Sequence, residues 1–148
     1  VKKILVPCDG SDSALRAVRH AAAEAQSHST PARLELLHVI EPEAAAKFVE
    51  QHPLAASQTA ASPDTPSPPA VTQALHAATG ILEQTGVAYD LHWRAGHPAP
   101  EIAAHAQEHG CEEVIMGTRG RGALASLVMG SIATQVVRLV DIPVTLVR

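Results

Sequence analysis

The sequence predicts an α/β domain in which helices sandwich a parallel sheet, and three observations carry that expectation. Five short β-prone apolar runs are spread along the chain, one helical segment lies in each of the four intervals, and polar or Gly/Pro punctuation separates them. At 148 residues the chain matches the commonest size of a single domain. Right-handed crossovers then follow from the handedness rule for parallel strands.

The first run, Lys3 to Cys8, ends in Asp9-Gly10-Ser11-Asp12-Ser13, which supplies a turn and several helix N-cap candidates. Ala14, Val18 and Ala21-Ala22 then fall at helical spacing, with Arg16, Arg19, His20 and Glu24 on the other side, and this helix ends between Ser27 and Pro31. Leu34 to Ile40 is a second strand, closed by Glu41-Pro42. From 43 to 69 the composition shifts to Ala, Ser, Thr and Pro; the segment is expected to be a flexible insertion carrying one helical turn around Lys47 to Glu50. No basic flank or repeat accompanies its prolines, which argues against a recognition peptide. A helix from Ala70 to Gln84 stops at Gly86, a strand runs from Val87 to Arg94, and a helix from Pro98 to Glu108 stops at Gly110. Glu113 to Met116 is the fourth strand, Ser131 to Leu139 the last helix and Pro143 to Val147 the last strand.

Composition narrows the function classes. Eleven Lys and Arg against fifteen Asp and Glu give a net charge of −4, and aromatic residues make up 2% of the chain, so neither the basic stripe nor the stacking platforms of a nucleic-acid binder are present. No apolar run reaches the roughly eighteen residues of a spanning helix, and Pro7 and Asp9 cut the first one short, so no membrane association or signal peptide is expected. Two cysteines are too few for a disulfide framework, which points to a reducing, cytoplasmic setting. Cys8 ends the first strand and Cys111 precedes the fourth, about 20 Å apart in a parallel sheet at ~3.3 Å per residue, beyond disulfide reach.

In an open α/β sheet the ligand crevice lies beyond the carboxyl ends of the strands, where strand order reverses. Pro7, Asp9 and Ser11 close the first strand; Met116-Gly117-Thr118-Arg119-Gly120-Arg121-Gly122 closes the fourth. Glycines at 117, 120 and 130 let backbone approach a ligand, and the amides that open the helix after Gly130 form an anion site for which phosphate is the obvious occupant. Arg119 and Arg121 add charge-assisted contacts, and the Ser131 hydroxyl is placed both to cap its helix and to meet an oxygen.

These residues resemble the universal stress proteins, specifically an ATP-binding branch whose signature is Gly, two residues, Gly, nine residues, then Gly followed by Ser or Thr. Here it reads Gly117-Thr118-Arg119-Gly120, nine residues, Gly130-Ser131. The likeness extends to Ile4-Leu5-Val6-Pro7-Cys8-Asp9-Gly10-Ser11, Leu37-His38-Val39, Gly96-His97-Pro98-Ala99 and Pro143-Val144, and spares only about 43–69. The resemblance implies a Rossmann-like single domain over 1–148, a five-stranded parallel sheet in the order 3-2-1-4-5 with helices on both faces, and ATP between the first and fourth strand ends. It also implies roles: Asp9 and Val39 hold adenine and ribose, Pro7 and Met116 flank the nucleoside, and Gly117, Arg119, Gly120, Gly130, Ser131 and Ile132 line the phosphates. The expected protein is a nucleotide-dependent stress-response regulator with little or no hydrolysis and no catalytic residue, since Asp9 is the one crevice group offering a Mg2+ contact or a base. The last strand, Val144 to Val147, is an exposed apolar edge whose expected partner is its own copy, and the resemblance adds an antiparallel dimer there.

Other readings of the same residues are weaker. A dimeric interaction module that docks an unnamed protein through the 43–69 segment does not use the glycine spacing. Asp9-Gly10-Ser11-Asp12-Ser13 faintly resembles the loop of ATP pyrophosphatases, but a carboxylate at Asp9 would repel pyrophosphate. Gly120-Arg121-Gly122-Ala123-Leu124-Ala125 fits a dinucleotide fingerprint with one strand left to build, and no Walker Gly-Lys-Ser or Gly-Lys-Thr occurs. Glu101, His105 and His109 fall at i, i+4, i+8 beside Ile102 and Ala106, and are expected to form a solvated polar stripe rather than metal ligands.

Overall fold

Nearly uninterrupted apolar strands have to bury both faces, and this chain does so with helices on each side. In the computed structural model, which describes every residue except 28, 30, 54–59, 62–65 and 119–128, β1 (Lys2–Pro7) pairs in parallel with β2 (Ala32–Ile40) and β5 (Glu113–Gly117). β4 (Tyr89–Ala95) extends the sheet beyond β2, and β6 (Val144–Val147) extends it beyond β5. The parallel strands therefore follow the expected 3-2-1-4-5 order, which is β4-β2-β1-β5-β6 in the full numbering.

Alternation along the central strands sorts their side chains between two cores. Ile4, Val6, Leu34 and Leu36 face α1 (Asp12–Ser27) and α3 (Pro69–Glu83), while Leu5 and Leu37 face α4 (Pro98–Glu108) and α5 (Ser131–Leu139). Each of these fully buried leucines and isoleucines stabilises the fold by about 1.5–3 kcal/mol. Helix α1 starts where Ser11 Oγ accepts the Ala14 N–H at 3.2 Å, and Gly10, at φ 83°, makes the turn that frees Ser11 for this role. Gly96, at φ 143°, makes the corresponding turn into α4; its N–H donates to Ile40 O at 3.0 Å, and a Cβ there would meet Glu101 Cγ at 2.9 Å.

Three expectations are corrected. Where one helical turn was expected in the insertion, α2 (Pro42–Gln51) is a ten-residue helix, held down by Phe48, which stacks on His52 at 4.5 Å and meets Trp93 of β4 edge-on at 6.1 Å. Phe48 is the one large apolar side chain that can anchor this Ala-rich helix, and its partner lies far along the chain, out of reach of local pattern. Within the same expected flexible insertion, the two-residue β3 (Ala60–Ala61) adds an antiparallel strand to the outer edge of β4. The polar stripe on α4 is not solvated: His105 is fully buried, and Glu101 turns instead to Arg94, with Oε1 3.4 Å from Nε.

At the foot of β5, Glu113 receives Lys2 Nζ at 2.9 Å and Thr145 Oγ1 at 3.1 Å. Burial pushes its carboxyl up, but the Lys2 bond and charge, with the other hydrogen bonds it receives, outweigh burial and leave it below its ordinary 4.5. A carboxyl so lowered is bound to fewer protons when folded than when unfolded, so its contribution is complete above that ordinary value and is lost as pH falls through the native one. Glu113→Gln should therefore cost on the order of 1–3 kcal/mol at neutral pH, and its deficit against the parent in urea midpoints should narrow below about pH 4.

Candidate functional site

Strand order reverses between β1, whose next neighbour in sequence lies on one side, and β5 on the other, and the crevice forms there at the carboxyl ends. It is a cavity of about 360 Å³, within the range of small-molecule sites. β1 and its turn contribute Pro7, Cys8 and Asp9, and β2 contributes Leu37, His38 and Val39. The far wall is Met116, Gly117 and Thr118 from the end of β5, with Gly130, Ser131 and Ile132 at the start of α5. Pro98 and Ile102 of α4 complete the apolar side.

Eight of the ten sequence-derived site residues thus meet in one cavity: Pro7, Asp9, Val39, Met116, Gly117, Gly130, Ser131 and Ile132. Arg119 and Gly120 lie outside the described residues, as does Arg121. Sequence reasoning gave no site role to His38, Thr118 or Ile102. His38 carried a signal, since it sits inside the quoted Leu37-His38-Val39; Ile102 carried none, because only the packing of α4 brings it to the cavity.

Local hydrogen bonds fix the two rims. Asp9 Oδ1 accepts the Ser11 N–H at 2.9 Å, which orients the carboxylate within its own turn. The His38 Nδ1–H donates to Cys8 O at 2.9 Å, tying β2 to the end of β1, because a carbonyl can only accept. Opposite, Thr118 N–H donates to Val147 O at 2.9 Å and Gly130 N–H to Thr118 O at 2.5 Å, so the end of β5 and the start of α5 are clamped together. Gly130 itself is the N-cap of α5 and offers no side-chain cap, and Ser131 is the first helical residue rather than the cap. The first intrahelical bond runs from Thr134 N–H to Gly130 O at 3.1 Å, which leaves the Ser131, Ile132 and Ala133 amides without helical acceptors at the cavity. That is the partial positive charge an anion would meet.

One residue behaves differently from its sequence reading. Gly117 is required by packing as well as by any ligand: a Cβ there would run into Ser13, with the Ser13 backbone carbonyl carbon at 2.8 Å. Cys8, beside the cavity, is no ready nucleophile, since burial pushes its thiol up to about 11. Cys111 is likewise free and buried, with its thiol pushed up to about 12 by burial and by the Glu35 charge.

The universal stress protein family model matches residues 1–148, and the chain belongs to that family. It is 35% identical over 156 aligned positions to a universal stress protein of Thermus aquaticus, covering 99% of this chain and 98% of that one. Among solved structures it is similar to a universal stress protein from Archaeoglobus fulgidus in complex with dAMP, with a TM-score of 0.69, 20% identity, and coverage of 100% of this chain and 98% of the other. It also resembles a universal stress protein family protein from Arabidopsis thaliana with AMP bound, with a TM-score of 0.66, 17% identity, and coverage of 99% and 91%.

Because Gly117 holds α1 against β5, Gly117→Ala should destabilise the protein by about 1–3 kcal/mol through overpacking against a backbone that cannot rotate away. Chemical denaturation measures this, and an unchanged midpoint would show that α1 shifts freely at this contact.

Proposed function

We propose that this chain is an ATP-binding universal stress protein, a nucleotide-dependent stress-response regulator that hydrolyses ATP slowly or not at all. The reading rests on one observation above the others: the cavity at the strand-order reversal joins the Asp9 turn to the open amides at the start of α5, a polar pocket for a sugar at one rim and an anion site at the other. In this reading Asp9 and Val39 hold adenine and ribose, Pro7 and Met116 flank the nucleoside, and Gly117, Arg119, Gly120, Gly130, Ser131 and Ile132 surround the phosphates. The dAMP and AMP complexes of the two similar folds support an adenine nucleotide as occupant.

Hydrolysis needs a group that positions or deprotonates water. Asp9 is the one carboxylate lining the cavity among the described residues. Assigned to the nucleoside, or to a Mg2+ ion on the phosphates, it leaves that task unfilled. Signalling through nucleotide occupancy is then the function, with homodimerisation through Val144 to Val147 as its expected frame. In support of the dimer, β6 ends the sheet with no strand beyond it among the described residues, and on the helix leading to it Val137 and Leu139 are 45% and 51% exposed. No helix among the described residues is long and apolar enough to cross a membrane, and both cysteines are free, which fits a cytoplasmic setting.

Calorimetric titration of nucleotide-free protein with ATP, ADP and AMP, with and without Mg2+, tests the reading; saturable ATP binding that weakens as phosphates are removed is expected, and no binding by folded protein would overturn it. Gly130→Val should reduce ATP affinity at least about tenfold, because a β-branched side chain crowds the phosphate rim. Arg119→Ala should weaken ATP more than adenosine, and equal losses would give Arg119 a scaffold role. Sedimentation should give twice the monomer mass, and a monomer at all concentrations would remove the β6 interface.

A further inference from the structure

Away from the nucleotide cavity, four side chains from three elements converge under α4. Glu35 of β2, His92 of β4, His105 of α4 and His109, the residue that caps the end of α4, each offer one ligand atom, and those four atoms all lie within 4.8 Å of one another. Helix α4 runs back against the strand direction, so Pro98 borders the cavity while His105 and His109 descend toward the strands' amino ends. We propose that this cluster is a binding site for a divalent transition-metal ion of the zinc type.

Glu35 Oε2 is the centre of the arrangement. It lies 2.8 Å from His105 Nε2, 3.6 Å from His109 Nδ1 and 3.8 Å from His92 Nε2. Tetrahedral zinc with ligands at about 2.0–2.1 Å keeps neighbouring donor atoms about 3.3 Å apart, so these separations bracket what an ion needs. Only the His105 contact is a hydrogen bond; the other two nitrogens approach without reaching bonding distance to the carboxylate. The rings are already gathered, with His105 and His109 stacked at 3.9 Å and His92 edge-on to each at 4.8 and 4.9 Å.

The donor set selects the ion. Three imidazoles and one carboxylate favour zinc and its neighbours in the first transition row over Mg2+ or Ca2+, which take oxygen ligands. Burial pushes His105 down to about 4 and lowers His92 as well, so both present neutral rings with a lone pair at neutral pH. Without an ion the His105 Nε2–H donates to Glu35 Oε2; the Nδ1 atoms of His92 and His105 have no hydrogen-bond partner among the described residues, so on binding the ring proton can move to Nδ1 and free Nε2 for the ion. Lys3 Nζ, 3.5 Å from Glu35 Oε1 and donating to His109 O at 3.0 Å, holds the second carboxylate oxygen and leaves Oε2 toward the rings. Access runs past His109 and His92, whose side chains are 31% and 12% exposed, against 3% for Glu35 and 1% for His105.

A bound ion would tie α4 to β2 and β4, and the test reads both uptake and stability. Protein made without a histidine tag is stripped with chelator and titrated with Zn2+, and with Co2+ as a coloured probe. One equivalent per chain, visible absorption typical of tetrahedral Co2+, and a thermal midpoint raised by about 5–10 °C at a hundredfold excess over Kd are expected. His109→Ala and His92→Gln, checked for folding by circular dichroism, should each weaken uptake at least about tenfold. Uptake undiminished in both would assign the metal to surface histidines and overturn the site, as would a folded wild-type chain that takes up neither ion. Should either variant fail to fold, X-ray absorption on the wild-type zinc complex decides: three imidazoles and one oxygen support the site, and any other first shell removes it.

Discussion

Two-faced burial of β1 and β2 is the constraint on which the rest depends. A strand covered on both sides has no solvated face, so almost every residue from Ile4 to Val6 and from Leu34 to Leu37 is apolar and fully or nearly fully buried. With every crossover right-handed, the face covered changes only where the direction of strand addition reverses, which is why α1 and α3 lie on one face and α4 and α5 on the other. The same reversal opens the crevice: the chain leaves β1 toward one face and β5 toward the other, and backbone amides and a carboxylate are left at the gap. The cavity is thus a by-product of how the sheet is covered.

The exception to that apolar rule is Glu35, which is 2% exposed in the middle of β2. An isolated buried carboxylate is costly; burial pushes this one up, but the His105 hydrogen bond, with the neighbouring histidines, outweighs burial and holds its carboxyl below the ordinary value, while Lys3 Nζ lies 3.5 Å from its other oxygen. A leucine at this register position would fill the space without such compensation. A carboxylate, three imidazole rings and a lysine gathered at one point on the α4 face are the chemical oddity of an otherwise aliphatic core.

Helix α4 joins the two regions. Its first turns, started by the Gly96 bend, border the cavity through Pro98 and Ile102, and its last turn and C-cap carry His105 and His109. Whatever fixes the lower half of this helix also fixes one wall of the cavity, because a helix of eleven residues moves as a rod.

The sequence of strands and helices, the crevice position and six residues of its lining, Pro7, Asp9, Met116, Gly117, Gly130 and Ser131, were legible in the sequence, because they depend on local quantities: hydrophobic period, capping residues and turn glycines; Val39 and Ile132 came only with the family resemblance. What tertiary structure alone decided depends on partners distant in sequence. Phe48 reads as a lone aromatic in an alanine-rich segment until Trp93 is placed against it, and Gly117 reads as a ligand glycine until Ser13 is seen to occupy the space of its missing side chain. His105 and His109 read as a polar stripe on one helix, and only the register of β2 against β4, which sets Glu35 opposite Asp90 and Leu37 opposite His92, brings the carboxylate and the third ring beneath them. A helical period reports which residues share a face; it carries no record of what that face is pressed against.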